Sequence, residues 1–319
     1  MLSSGFMRKK TFSRIEKGIV LVAALFLVAS FSAAYAKSPY GTGFSSPDRA
    51  TEALTAAIKA DDIASLQRIL GPGSKDIVVS GDPVADKEGR ERFIKHYAEK
   101  HKLEQAGGKV TVYVGNDLKP FPIPLVKVGD LWRFDIEAGR HEILARRIGR
   151  NELNAIQVCL AYVDAQREYA RMDPDGDGLH NYAMKFVSAP GKKDGLYWET
   201  RPGETQSPLG PLIAAARSEG YAARKKGDPS RPYHGYYFKI LTRQGRHAAD
   251  GESPYVVNGR MIGGFALVAY PAQWANSGIM TFIVNHDGIV YESNLGKDTA
   301  KIARAMDAFD PGMTWQAVK

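Results

Sequence analysis

A single cysteine, Cys159, in 319 residues excludes an internal disulfide even in an oxidising compartment. It stands between Val158 and Leu160 with no histidine or basic residue in the neighbouring turns, which predicts a small buried hydrophobe and not a reactive thiol. The chain also lacks the spacings that announce common catalytic sites. There is no His-x-His or His-Glu-x-x-His for zinc, so His180 and His234 read as structural or surface histidines. Ser207 has no nucleophile-elbow glycines around it, and Gly191-Lys192 lacks the spacing of a phosphate-cradling loop. The acid pairs Asp194/Glu199 and Asp287/Glu292 belong to turns, and their spacing alone does not define a glycosidase.

Long hydrophobic runs are scarce too. The longest, IVLVAALFLVASF over 19–31, holds 13 residues, whereas a bilayer span takes about 20. A basic start precedes it and Ala34-Tyr35-Ala36 follows, the layout of a secretory signal peptide over 1–36. Cleavage after Ala36 predicts a periplasmic or secreted chain beginning at Lys37, a retained anchor being the rival reading, and no lipobox cysteine is present. Five basic residues against Glu16 in that leader account for +4 of the net charge of +8, leaving +4 for the rest. So mild an excess gives little ground for a nucleic-acid partner.

What is present is a stretch, 151–183, around which the rest is organised. Leu153, Ile156, Leu160, Val163 and Tyr169 recur at helical spacing and predict one apolar helix face, ending at Met172. The loop that follows sets Asp173, Asp175 and Asp177 on alternate positions with Gly176 and Gly178 between and after them. Alternating carboxylates on a chain able to curl back suit a hard cation such as Ca²⁺, with Asn181 as a further oxygen donor. Met184 occupies the place where an EF-hand needs glutamate, which excludes the standard loop. Two readings stand side by side, a calcium loop and a solvated acidic turn.

Ahead of this stretch, Ser46-Pro47-Asp48 signals a helix start, and Asp62 caps a second helix that Gly71-Pro72-Gly73 stops. A short strand is expected over 77–80, then a helix capped by Asp86 and running to about Leu103. Strands follow at 110–114, 121–128 and 131–134, the second marked as an edge by Pro122 and Pro124. This order of elements resembles the cone-shaped domains of the nuclear transport factor 2 type. The resemblance implies a pocket wrapped by the sheet, with Tyr97, Trp132 and Asp135 as candidate wall residues. The arginine-rich segment 138–150, AGRHEILARRIGR, joins the long helix through Gly149 and reads as a linking helix with a solvated charged face, or as a surface touching anionic lipid.

Beyond the acidic loop, strands are expected at 235–242, 264–270, 279–285 and 289–291, with a helix over 207–216 and a last helix over 299–309; Trp315 is expected to pin the tail. Residues 222–231, AARKKGDPSR, read as polar and mobile. The runs NELNAIQVCLAYVDAQREYA, DGDGL, DGLYW (194–198), SPLGPL (207–212), YHGYYFKIL (233–241) and GGFALVAYPA (263–272) together resemble a bacterial family of exported proteins, domain-of-unknown-function family 2950. A helix opening Asn-Glu-x-x-Ala, a loop and an antiparallel sheet are similar to the heads of type IV pilins and pseudopilins. The stalk differs, because no glutamate opens the hydrophobic run after Gly18.

The expectation is therefore an α+β protein: a cone-like domain over 37–137, a linking helix over 138–172, and a pilin-head-like domain over 173–319 packed on helix 151–172. The function expected is a non-enzymatic binding or assembly module at the cell envelope, stabilised by Ca²⁺, whose partner is an envelope protein or polymer. The alternative is a hydrolase acting on envelope polymers.

Overall fold

The computed structural model describes residues 38–174, 176–221 and 231–319. The expected signal peptide, Asp175 and almost all of the basic segment 222–231 lie outside the described residues.

Helix α1 (Pro47–Lys59) begins as the sequence predicts, with the Ser46 hydroxyl accepting from the Arg49 N–H at 3.2 Å and Pro47 in the first turn. Helix α2 (Ile63–Leu70) is capped by Asp62 and ends at Gly71, whose φ of +89° disfavours any side chain. The strand expected over 77–80 is instead a single helical turn, α3 (Lys75–Val78), with Ile77 and Val78 buried. Three consecutive apolar residues fit a buried turn as well as a strand, and among the described residues no strand pairs with them. Helix α4 (Pro83–Glu99) is capped by Asp82, not Asp86, and stops short of Leu103.

The reason α4 stops is a hairpin. Strands β1 (His101–Ala106) and β2 (Lys109–Val114) pair antiparallel across Gly107-Gly108, both at positive φ, so a two-residue turn captures 101–106 for the sheet. Strands β3 (Lys119–Pro120), β4 (Leu125–Val128) and β5 (Leu131–Phe134) complete it in the order β1-β2-β4-β5, with β3 also on β2. The expected strand 121–128 pairs with β5 only from Leu125 onward, since Pro122 and Pro124 carry no N–H to donate. Val110, Val112 and Val114 point into a core shared with Leu54, Leu66 and Phe134.

Helix α5 (Ile136–Met172) is continuous over 37 residues and passes through Gly149 without a break. It joins this sheet region to a second one, which makes the chain an α+β fold with a long linking helix. After helix α6 (Gly210–Ser218), strand β6 (Tyr236–Leu241) enters the main C-terminal sheet, and β7 (Arg243–Gln244), β8 (Ser253–Pro254), β9 (Val256–Val257) and β10 (Arg260–Met261) form short pairings beside it. Strands β11 (Ala266–Pro271), β12 (Thr281–Asn285) and β13 (Val290–Ser293) follow, then helix α7 (Thr299–Ala305), β14 (Ala308–Phe309) and β15 (Gln316–Ala317). The sheet order is β15-β13-β12-β11-β6, antiparallel throughout. Every residue of β11 and β12 is buried, so both faces of the central strands are covered. The last helix ends earlier than expected because Lys239 Nζ caps the carbonyls of Arg304 and Met306 at 2.7 and 2.6 Å and β14 then pairs parallel with β7. Trp315 packs on the C-terminal core, as expected.

The buried face of α5 differs from the expected one. Val163 and Tyr169 are buried, but Leu153 is 65% and Leu160 37% exposed. Ala155, Cys159, Tyr162 and Gln166 face the core instead. Small residues let the helix approach the sheet closely, and Gln166 is satisfied by Tyr162 and by both backbone groups of Ala183. The Asn-Glu-x-x-Ala opening has a structural use. Asn151 donates to the Ser277 carbonyl at 2.9 Å, and Glu152 accepts from the N–H groups of Ile279 and Met280 at 2.8 and 2.9 Å. Among the described residues no helix is long and apolar enough to cross a membrane.

Candidate functional site

A cavity of about 370 Å³ lies between α1, α2, α4 and the N-terminal half of α5. Leu54, Leu66 and Leu70 belong to its wall and to the core beneath it, while half-buried Ile58, Phe93, Phe121 and Ile143 turn toward the open space. Its wall on α4 is centred on Ala85, Asp86, Gly89, Arg92 and Phe93, which recur at intervals of three and four, with Glu88 and Arg90 flanking them. Its wall on α5 is another, made by Ile143, Arg147, Arg150, Asn151 and Asn154. His234, from the loop before β6, closes one side.

The charged groups are unevenly matched. Arg90 pairs with Asp61 at 2.7 Å and Arg92 with Glu88 at 2.6 Å. Arg147 has no carboxylate within ion-pair distance among the described residues; it donates to the carbonyls of Asp76 and Ile77 at 2.7 and 2.5 Å and to the side-chain oxygen of Asn276. Burial holds its pKa below the usual guanidinium range, against the pull of Asp86 and Asp76. The Arg150 side chain has no hydrogen bond or ion pair among the described residues; the residue is exposed at the rim, and partial burial of its guanidinium followed by repulsion from Arg92 lowers its pKa as well. Asp86 accepts from the Ser80 N–H at 2.9 Å, yet burial pushes its carboxyl above the ordinary range. Four guanidinium groups thus face two carboxylates, Asp86 and Glu88, along the lining.

Next to His234 lies a buried polar knot. Asp82, 1% exposed, accepts from the N–H groups of Val84 and Ala85 at 3.2 Å, from the Tyr221 hydroxyl at 2.9 Å and from the Gly235 N–H at 2.9 Å. His234 Nε2 is 3.0 Å from Glu219, and its ring lies 4.2 Å from that of Tyr233. A second His–acid pair, His247 and Asp310 at 2.9 Å, is on the surface.

The three residues expected on a pocket wall are not brought together at this cavity. Tyr97 stacks on His101 with ring centroids 3.9 Å apart, one turn beyond Phe93. Trp132 is buried, with its backbone paired to Phe44. Asp135 caps α5 by accepting from the Ala138 N–H at 3.2 Å. None of the three borders the cavity. The residues that do border it carry a legible signal, since 143, 147, 150, 151 and 154 repeat at helical spacing from the charged segment 138–150 into the helix that follows it.

Of the expected metal donors, Asp173 occupies the left-handed C-cap of α5, with Oδ2 accepting from the Gly178 N–H at 2.9 Å. Asp177 accepts from the Leu179 N–H at 2.9 Å and from the Arg260 guanidinium, which occupies one of its oxygens. Asp173 Oδ1 and Asn181 Oδ1 are buried acceptors without a partner among the described residues. Asp175 is outside the described residues, and among those described no three His, Cys, Asp or Glu side chains converge as a metal site would require.

The fold and the cavity together define an α+β protein with a ligand-sized, arginine-rimmed hollow beside its linking helix. The chain belongs to the family described as protein of unknown function (DUF2950), whose sequence model matches residues 42–318. No curated protein and no solved structure matches it.

Proposed function

We propose that this chain is an exported, non-enzymatic binding module of the cell envelope that holds a small molecule between α4 and α5. The observation that carries the reading is the cavity. Its volume of about 370 Å³ falls in the ~300–1,000 Å³ range of ligand pockets, and an apolar interior with a few polar groups at the rim is the usual make-up of such sites. Export rests on the basic, apolar and Ala-Tyr-Ala succession at the N-terminus. The sheet packed on a long helix supports a pilin-head-like domain over 173–319, and the helices against β1–β5 support a cone-like domain over 37–137 with helix 138–172 between them.

Non-denaturing mass spectrometry of the chain recovered from a bacterial periplasm tests the reading. A mass beginning at Lys37, with a retained small-molecule adduct that is missing from Gly89→Leu, is expected. Identical bare masses for both chains defeat it.

Calcium binding at the acidic loop is the second part of the reading, favoured by two oxygens, of Asp173 and Asn181, that have no partner among the described residues. Ca²⁺ at a hundredfold excess over its Kd adds about 2.7 kcal/mol to the folded state, a rise of several degrees over the melting point in chelator. Asp173→Asn retains a residue tolerant of left-handed backbone and removes the charge, so its melting point should not respond. Equal melting points with Ca²⁺ and chelator for the unmodified chain reduce the loop to a turn. The hydrolase alternative draws on His234 at the cavity edge and Glu219 beside it, and cleavage of an envelope polymer that His234→Gln abolishes decides for it.

A further inference from the structure

We propose that the ligand of this cavity is an amphiphilic anion: an apolar chain lodged against Ile58, Phe93, Phe121 and Ile143, with a single carboxylate or phosphate head held by Arg150, Arg147 and Asn154. The inference rests on the binding reading above and specifies its ligand.

The head is argued from uncommitted donors. The Arg150 side chain makes no hydrogen bond or ion pair among the described residues, and the side-chain amide of Asn154 likewise has no partner there, although both residues border the cavity. They lie four residues apart on α5, on the same face as Arg147, whose hydrogen bonds among the described residues go only to neutral acceptors. Arg150 is exposed at the rim, so its guanidinium is reachable from solvent and has no counter-ion among the described residues, and its planar donor fork matches a carboxylate or phosphate. Arg90 and Arg92 are already engaged by Asp61 and Glu88, so the unmatched positive charge is confined to the α5 side.

The tail is argued from the half-buried apolar side chains at the cavity and from Gly89. This glycine is inside a helix, where it is less stable than alanine by about 1 kcal/mol. Neither common reason for a glycine applies to it. Its φ is not positive, and a Cβ built on it meets nothing within 4 Å. It stands at the centre of the α4 face that lines the cavity, between Asp86 and Phe93. The missing side chain leaves the hollow open between the arginines and the apolar floor.

The test is isothermal titration of the mature chain, residues 37–319, with dodecanoate and with dodecanol, which share a tail and differ in the head. Dodecanoate is expected to bind at least tenfold more tightly than dodecanol. Arg150→Gln should weaken dodecanoate roughly tenfold, the worth of one charge-assisted hydrogen bond, and leave dodecanol unchanged. Gly89→Leu should bind neither probe while melting no lower than the unmodified chain. The comparison of the two probes uses the unmodified chain, so it holds even if a variant fails to fold. Equal affinities that Arg150→Gln does not alter overturn the anionic head and leave a binding module standing. If neither probe binds, the inference falls; the binding reading then survives only if the periplasmic adduct is present.

Discussion

The Asp82 carboxylate accepts the backbone N–H of Gly235 at 2.9 Å, joining positions 153 residues apart. The same carboxylate caps α4 and takes the Tyr221 hydroxyl at 2.9 Å, so one buried side chain fixes the start of a cavity wall against the strand that enters the C-terminal sheet. Truncation leaves several donors without an acceptor. Asp82→Ala should lower unfolding stability by about 2–4 kcal/mol, the combined size of a lost helix cap and a buried unpaired donor, and Tyr221→Phe by about 1 kcal/mol. Urea unfolding measures both, and a change under 0.5 kcal/mol for Asp82→Ala contradicts the role given to it.

Which face of α5 is buried can be read from two substitutions two residues apart. Leu153 is 65% exposed, so Leu153→Lys should change stability by no more than about 0.5 kcal/mol. Ala155 is buried against the C-terminal core, where Ala155→Leu should overpack and lower stability by about 1–3 kcal/mol. The reverse order of effects means that the Leu153 stripe faces the core after all.

Burial alone pushes the Cys159 thiol up to about 12, from an ordinary 9.0. A raised folded pKa means that its contribution to stability is fully present below about pH 9 and is lost as pH rises toward 12. At pH 8 a thiol reagent should therefore label the native chain only as fast as it unfolds, with the rate climbing as denaturant is added. Rapid stoichiometric labelling without denaturant contradicts this burial.

Asp86 titrates in the same sense, because its raised pKa also comes first from burial, against the Ser80 hydrogen bond and the attraction of Arg147 and Arg90. The fold favours its neutral form. Its contribution is fully present below the unfolded value near 3.8 and fades as pH rises through the raised value. Asp86→Asn keeps an oxygen for the Ser80 N–H and removes the titration. Its stability relative to the unmodified chain should rise as pH is taken from about 3.5 to 7, whereas a constant difference across that window shows that Asp86 titrates normally.

The helix starts were legible because their signals are local. Ser46-Pro47 and Asp62 act on N–H groups within three residues of themselves. The start of α4 is less legible, because two nearby acids, Asp82 and Asp86, both fit a cap and local pattern cannot separate them. Asp82 is nearer the first turn, and its second use, the Gly235 amide, is 153 residues away.

Local sequence by itself determined the α+β class, the long helix through Gly149, the alternation of Val110, Val112 and Val114, and the burial of Cys159, since spacing and capping act over one or two turns. It also supplied Arg147, Arg150 and Gly89, but without their meaning. Only the tertiary structure decided that Ala155 and Cys159 face the sheet while Leu153 does not, and that Tyr97, Trp132 and Asp135 serve stacking, core and cap. It alone brought the arginine face of α5 opposite the glycine on α4. A helix has several faces that pattern can nominate, and the partner that fills the space beside one of them selects it.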